Sequence, residues 1–83
     1  MSNGETWDGV RAAIRTTFKL RDDEAIERET TSADVPGWDS LSHSVLLMAL
    51  EDRFGIELPL DRAYEANNVG EMVDLINQLL AGT

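Results

Sequence analysis

Apolar residues recur at helical spacing in several stretches of the 83-residue chain. In the first, Trp7, Val10, Ile14 and Phe18 fall at i, i+3, i+7 and i+11, one stripe of an α-helix. Thr6 stands ahead of the stripe as the expected N-cap. Asp8 lies in the first turn, where the helix dipole favours a carboxylate. Arg11, Arg15 and Lys19 share another face and read as solvated, with Lys19 near the helix end, where a cation suits the dipole. Met1 to Gly4 reads as a loose tail.

Leu20 to Asp39 is a long connection, since loops above about 12–15 residues are unusual in compact domains. Leu20, Ile26 and Val35 are its expected anchors, Thr30 to Asp34 is turn-like, and Pro36-Gly37 is a breaker pair.

A second helix is predicted from Ser40 to Phe54 with Asp39 as N-cap. His43, Leu46, Leu47, Leu50 and Phe54 form its core stripe. Leu41, Val45 and Met48 form a second apolar face, which either closes a tight core or marks a docking surface. Gly55 suits a left-handed stop, and Ile56 to Pro59 reads extended because a residue before proline avoids the helical region. Asp61 to Asn67 is expected to make one or two helical turns with Ala63 and Tyr64 inward. Asn68 with Glu71 has the spacing of a capping box, and Val69, Met72, Val73, Ile76, Leu79 and Leu80 stripe a last helix. Ala81 to Thr83 is expected to fray. No strand pattern competes. The chain reads as a single all-α domain, residues 1–83, with three principal helices, a short third helix and a long first crossover.

Composition narrows the function. A domain this small buries only about 60–65% of its unfolded surface, which argues against a deep active site and a complete enzyme. Without cysteine and with one histidine, no disulfide or thiolate metal site is available. No signal peptide pattern and no run of about 20 apolar residues is present, so a soluble, cytoplasmic monomer with no membrane span is expected. The net charge is −9, and residues 29–83 hold ten acids against only Arg53 and Arg62. Such a field repels phosphate backbones, which excludes nucleic acid as a partner, and favours basic protein surfaces.

Candidate chemistry is sparse. Ser40 and His43 lie i, i+3 on one helix, but a hydrolase also needs an orienting acid and an oxyanion hole, which the sequence does not supply. His43 reads as a core-edge residue. Glu51 and Asp52 read as solvated charges, and no glycine-rich phosphate loop occurs. Ser40 stands out by position. At the mouth of a helix, an attached phosphate is favoured by free N–H groups and the dipole. The plainer alternative is that Ser40 only caps the helix.

Gly37-Trp38-Asp39-Ser40-Leu41, Ala49 through Pro59 and Asn68 through Ile76 together resemble the acyl carrier proteins. The likeness spans about residues 7 to 80 and is close from 36 to 76. The resemblance implies a four-helix bundle. It implies that Ser40, beside Asp39, carries covalent 4′-phosphopantetheine, placed there from coenzyme A by a phosphopantetheinyl transferase. The arm's thiol would hold acyl groups as thioesters for an acyl-loading ligase or transferase and for synthase enzymes of fatty acid, polyketide or related biosynthesis. The protein would be a carrier and not an enzyme. The residue after the family's serine contacts partners, which favours the docking reading of Leu41, Val45 and Met48. The family commonly has an acid after Ser-Leu and a glutamate three residues on. Ser42 and Val45 stand there instead. Less electrostatic docking is expected, and the Trp38 motif with His43 looks similar to stand-alone carriers of specialised pathways. Alternatives are an aminoacyl or peptidyl carrier, or an unmodified helical adaptor using the Leu41 face.

Overall fold

The computed structural model describes residues 3–21 and 24–82. Among them, α1 runs Asn3–Phe18, α2 Ser40–Phe54, α3 Leu60–Glu65 and α4 Val69–Leu80, with a 3-10 turn at Ser32–Asp34. The helices follow in the predicted order. α1 packs on α2 and α4, and α3 packs on α4.

α1 starts earlier than expected. Thr6 does not cap it but lies inside the helix, fully buried. The cause is geometric: Thr6 shares a face with Val10, Ala13 and Ile14, which are all buried. Asn3 and Gly4 therefore belong to α1, while Met1 and Ser2, the rest of the expected tail, lie outside the described residues. Lys19 stops the helix instead of sitting in its last turn. It takes φ 56°, and the Leu20 N–H donates to the Arg15 carbonyl at 2.9 Å. Gly9 lets α2 approach, since a Cβ there would lie 2.6 Å from Phe54 Cζ.

The long connection is anchored where the sequence suggested. Ile26 and Val35 are buried, and Leu20 is half-buried against the core. Arg15, read as solvated, donates to the Glu24 carbonyl at 3.0 Å and so helps hold the connection. The connection also docks on the start of α4. The Val69 and Gly70 N–H groups donate at 2.9 Å to the carbonyls of Thr30 and Arg28. Asn68 Oδ1 accepts from the Glu71 N–H at 2.8 Å, as the capping spacing predicts, and the Glu71 carboxylate accepts from the Asn67 N–H. The free N–H groups of this helix end are thus shared between its own cap and the connection.

Arg28 lies over Gly70 and reaches Asp74 at 2.8 Å. A Cβ at Gly70 would lie 2.9 Å from Arg28 Nε and 3.0 Å from Arg28 Cβ. The Cβ is fixed to a backbone that pairs with α4, so it cannot swing away. Gly70→Ala is therefore expected to destabilise the protein by about 1 kcal/mol, overpacking outweighing the better helix propensity of alanine. Urea denaturation reads this directly, and an unchanged or raised midpoint would count against the fixed contact.

In α2, Asp39 Oδ1 accepts from the Ser42 N–H at 2.9 Å, and Gly55 ends the helix at φ 65°. Leu46, Leu47 and Leu50 are buried, with His43 and Phe54 half-buried on the same face. Glu51 is more than a solvated charge: its carboxylate accepts from the Leu58 N–H at 2.9 Å and pins the extended segment before α3. Within α3, Ala63 is fully buried, but Tyr64 is 52% exposed and does not face the core. The next residue along a helix points about 100° away, and here Ala63 takes the inward side while Tyr64 turns outward. Val69, Met72, Val73, Leu75 and Ile76 of α4 complete the core.

Candidate functional site

Ser40 is the first residue of α2 and is exposed. The cap is taken by its neighbour Asp39. The Ser42 backbone N–H, then the Ser42 hydroxyl, hold the Asp39 carboxyl below its ordinary pKa. Ser40 contributes its carbonyl to a 3.3 Å bond from the Ser44 hydroxyl, and its own hydroxyl has no hydrogen-bond partner among the described residues. Ser40 is therefore not a capping serine. Its oxygen is free at the positive end of a helix.

The segment leading to Ser40 turns at Gly37, whose φ of 86° an L side chain would resist. It is then held by a row of aromatic rings. Trp38 stacks on Phe18 with centroids 5.0 Å apart, and its indole N–H donates to His43 Nδ1 at 3.0 Å. His43 meets Tyr64 at 4.9 Å, and the Tyr64 hydroxyl is 2.9 Å from the Ser44 hydroxyl. The row joins the end of α1, the approach to Ser40, the first turn of α2 and α3.

His43 is thus the core-edge residue expected. With Nδ1 accepting from Trp38, the neutral ring carries its proton on Nε2, which is enclosed with no hydrogen-bond partner in the described structure. Neither nitrogen serves Ser40, so the Ser40/His43 nucleophile pair does not form. Burial lowers the His43 pKa, and the Ala63 backbone carbonyl acts in the opposite sense. Protonation would also set two N–H donors, on Trp38 and on Nδ1, against each other. The folded state therefore binds this proton less readily than the unfolded chain. Its stabilising contribution is full above about pH 6.5 and is lost as pH falls through the lowered folded value. Acid titration of the urea midpoint is expected to show this loss. His43→Asn, which keeps an acceptor for Trp38, should shrink it. An equal acid slope in both proteins would contradict the assignment.

A cleft of about 310 Å³ opens beside Ser40. It is lined by Thr30, Thr31 and Ser32 of the connection, by Trp38, Asp39, Ser40 and His43, by Tyr64, and by Ala66, Asn67, Asn68 and Met72 around the start of α4. On the outer face of α2, Leu41 is 77% exposed, Met48 62% and Val45 47%. These three do not close the core. Tyr64, expected to turn inward, lines the cleft instead, because six residues are too few to show which way a side chain faces. No group of His, Cys, Asp or Glu among the described residues is placed to hold a metal, and no described helix is long and apolar enough to cross a membrane.

The family model described as "Phosphopantetheine attachment site" matches residues 8–76. The acyl carrier protein of Thermosynechococcus vestitus is 32% identical over 81 residues, covering 98% of this chain and 99% of that protein. This chain belongs to the acyl carrier protein family. A chloroplastic acyl carrier protein of Brassica napus is 34% identical over 76 residues, and there the chain spans 56% of the relative's length. The solution NMR structure of the holo acyl carrier protein of Geobacter metallireducens matches with a TM-score of 0.82 at 35% identity, over 93% of this chain and 87% of that one. The all-α, four-helix architecture is the one this acyl carrier family neighbour shares. An acyl carrier protein is a carrier and not a catalyst, and its prosthetic group is phosphopantetheine. The site suits that group: a free hydroxyl, a helix N-terminus for the phosphate and an adjoining cleft lie together.

Proposed function

We propose that Ser40 carries the 4′-phosphopantetheine arm, accepted from coenzyme A through a separate phosphopantetheinyl transferase, and that the protein, acting as a monomer, presents acyl groups as thioesters to its partner enzymes. The free Ser40 hydroxyl, released by Asp39 taking the cap, carries this reading. The thioester chemistry belongs to the arm when attached. The chain itself fixes the approach segment, through Trp38 and His43, and offers a recognition face.

That face is Leu41, Val45 and Met48, three apolar side chains held outward on α2. From Ser40 to Ala49 the helix carries no acidic or basic side chain other than His43. Docking there relies on apolar contact, with the surrounding acidic surface steering partners from a distance. This neutral face supports acyl-loading and synthase partners of specialised biosynthesis over those of fatty acid synthesis. Affinity for a ketosynthase of primary metabolism is expected to fall below that of the housekeeping carrier, and equal affinity would overturn this assignment.

Leu41→Asp is expected to lower kcat/KM for the transferase by about tenfold or more, as loss of an apolar anchor does. The urea midpoint should stay unchanged, because the side chain is exposed. The carrier reading itself is tested by thiol titration. The chain has no cysteine, so incubation with coenzyme A, magnesium and a broad-specificity transferase, followed by desalting, should raise protein thiol from zero to one per chain. No thiol on folded protein would return it to the unmodified adaptor.

A further inference from the structure

Ser40 lies inside a short stretch of chain that one side-chain hydrogen bond closes. The indole N–H of Trp38, ahead of Ser40, donates at 3.0 Å to Nδ1 of His43, which follows it. We propose that this Trp38–His43 clasp positions the Ser40 hydroxyl for pantetheine transfer, and that protonation of His43 opens the clasp and slows modification of the carrier. The inference rests on Ser40 carrying the arm.

The clasp brackets Ser40 from both sides. Ahead of it, the Trp38 backbone N–H donates to the Val35 carbonyl at 3.3 Å and the indole stacks on Phe18 at 5.0 Å, which fixes the approach to the end of α1. Behind it, the His43 backbone N–H donates to the Asp39 carbonyl at 2.8 Å and the imidazole meets Tyr64 of α3 at 4.9 Å. The Ser40 hydroxyl has no hydrogen-bond partner of its own among the described residues. Its position is therefore inherited from these two neighbours. His43 shares a face of α2 with buried Leu46, Leu47 and Leu50, apart from exposed Leu41, Val45 and Met48. Positioning and partner docking are thus separable.

The transfer step is sensitive to position. Ser40 Oγ forms a bond to the phosphorus that carries pantetheine in coenzyme A. That phosphorus loses its bond to the bridging oxygen, adenosine 3′,5′-bisphosphate leaves, and the hydroxyl proton passes to a base of the transferase. Attacking and leaving oxygens lie roughly in line, and a misplacement of about 1 Å can slow such a step about 100-fold. Protonation works against the clasp because Nδ1 would then point an N–H at the indole N–H. Facing the ring are Trp38 from the approach and, from α3, Tyr64 and the Ala63 carbonyl. Tyr64 is the titratable group among these. Asp39, which lines the same cleft, has its carboxylate turned to the Ser42 N–H. Among the described residues no carboxylate is paired with His43 to hold a charge there.

The test follows single-turnover transfer by intact mass, with coenzyme A and transferase in excess over carrier. Trp38→Phe and His43→Phe each keep a ring and remove one half of the bond, whereas His43→Asn keeps the acceptor. Both phenylalanine variants should lower the maximal rate about tenfold, with the half-saturating transferase concentration little changed. The double phenylalanine variant should be no slower than either single one. His43→Asn should recover most of the lost rate. The ratio of wild-type to His43→Asn rate, in which the transferase's own pH dependence cancels, should fall as pH drops below about 6.5. Packing alone predicts the reverse order, with His43→Phe near wild type and His43→Asn slow. That order, a Trp38→Phe rate equal to wild type or a pH-independent ratio would overturn the clasp and leave the attachment standing. If His43→Phe does not fold, Trp38→Phe and the pH ratio decide the matter. No mass gain on wild type would overturn both.

Discussion

Trp38→Ala is expected to destabilise the protein by about 3 kcal/mol, the low end for deleting a large aromatic side chain, because Trp38 is half-buried. The loss has two parts. The stacked contact with Phe18 at 5.0 Å disappears, and His43 Nδ1 loses its 3.0 Å donor. Trp38→Phe separates them. It keeps a ring for Phe18 and removes only the N–H, so about 1 kcal/mol should be lost. The acid loss assigned to His43 should also weaken in Trp38→Phe, because protonated Nδ1 no longer faces an indole N–H. Urea denaturation at neutral and acid pH measures all three quantities. A Trp38→Ala protein within about 0.5 kcal/mol of wild type, the range of an inert surface site, would mean that the aromatic row does not hold the approach to Ser40.

Leu50→Ala should cost about 2–5 kcal/mol, a large fraction of the roughly 5–15 kcal/mol typical of a whole domain. Leu50 is fully buried in the cluster that includes Val10, Ile14, Leu46, Leu47 and Ile76. A cavity there faces packed side chains from three helices, which limits collapse. Met48→Ala is the control. It lies on the same helix but is 62% exposed, and its loss should stay within about 0.5 kcal/mol. The pair decides which face of α2 is core and which is free for partners. Comparable losses at both positions would contradict the outward face.

Much of this architecture is legible in sequence because its signals are local. Asp39, Asn68 and Gly55 were readable as helix ends because a cap needs only its own side chain or backbone within a few residues. The core stripes of α2 and α4 were readable from period alone. Thr6 reads as a cap because it stands just before the first apolar stripe, but the helix begins at Asn3 and carries Thr6 into the core. Lys19 has no glycine to announce a left-handed stop. Tyr64 and Glu51 depend on tertiary neighbours, His43 for one and the Leu58 N–H for the other. The docking of the connection onto α4 runs through backbone carbonyls of Arg28 and Thr30, which no residue type signals.

The site shows the same division. Ser40, Ser42 and Ser44 stand within one stretch of α2, and only Ser40 lies at its mouth. Likeness to the acyl carrier proteins points to the same residue. The structure adds a physical distinction: the Ser42 hydroxyl, like its N–H, acts on the Asp39 carboxylate, the Ser44 hydroxyl meets the Ser40 carbonyl and the Tyr64 hydroxyl, and the Ser40 hydroxyl is free.

That distinction gives the most direct test. Intact mass is measured after incubation with coenzyme A, magnesium and a broad-specificity phosphopantetheinyl transferase, on wild type and on Ser40→Ala, Ser42→Ala and Ser44→Ala. One phosphopantetheine is expected on wild type, Ser42→Ala and Ser44→Ala, and none on Ser40→Ala. A full mass gain on Ser40→Ala would contradict the account.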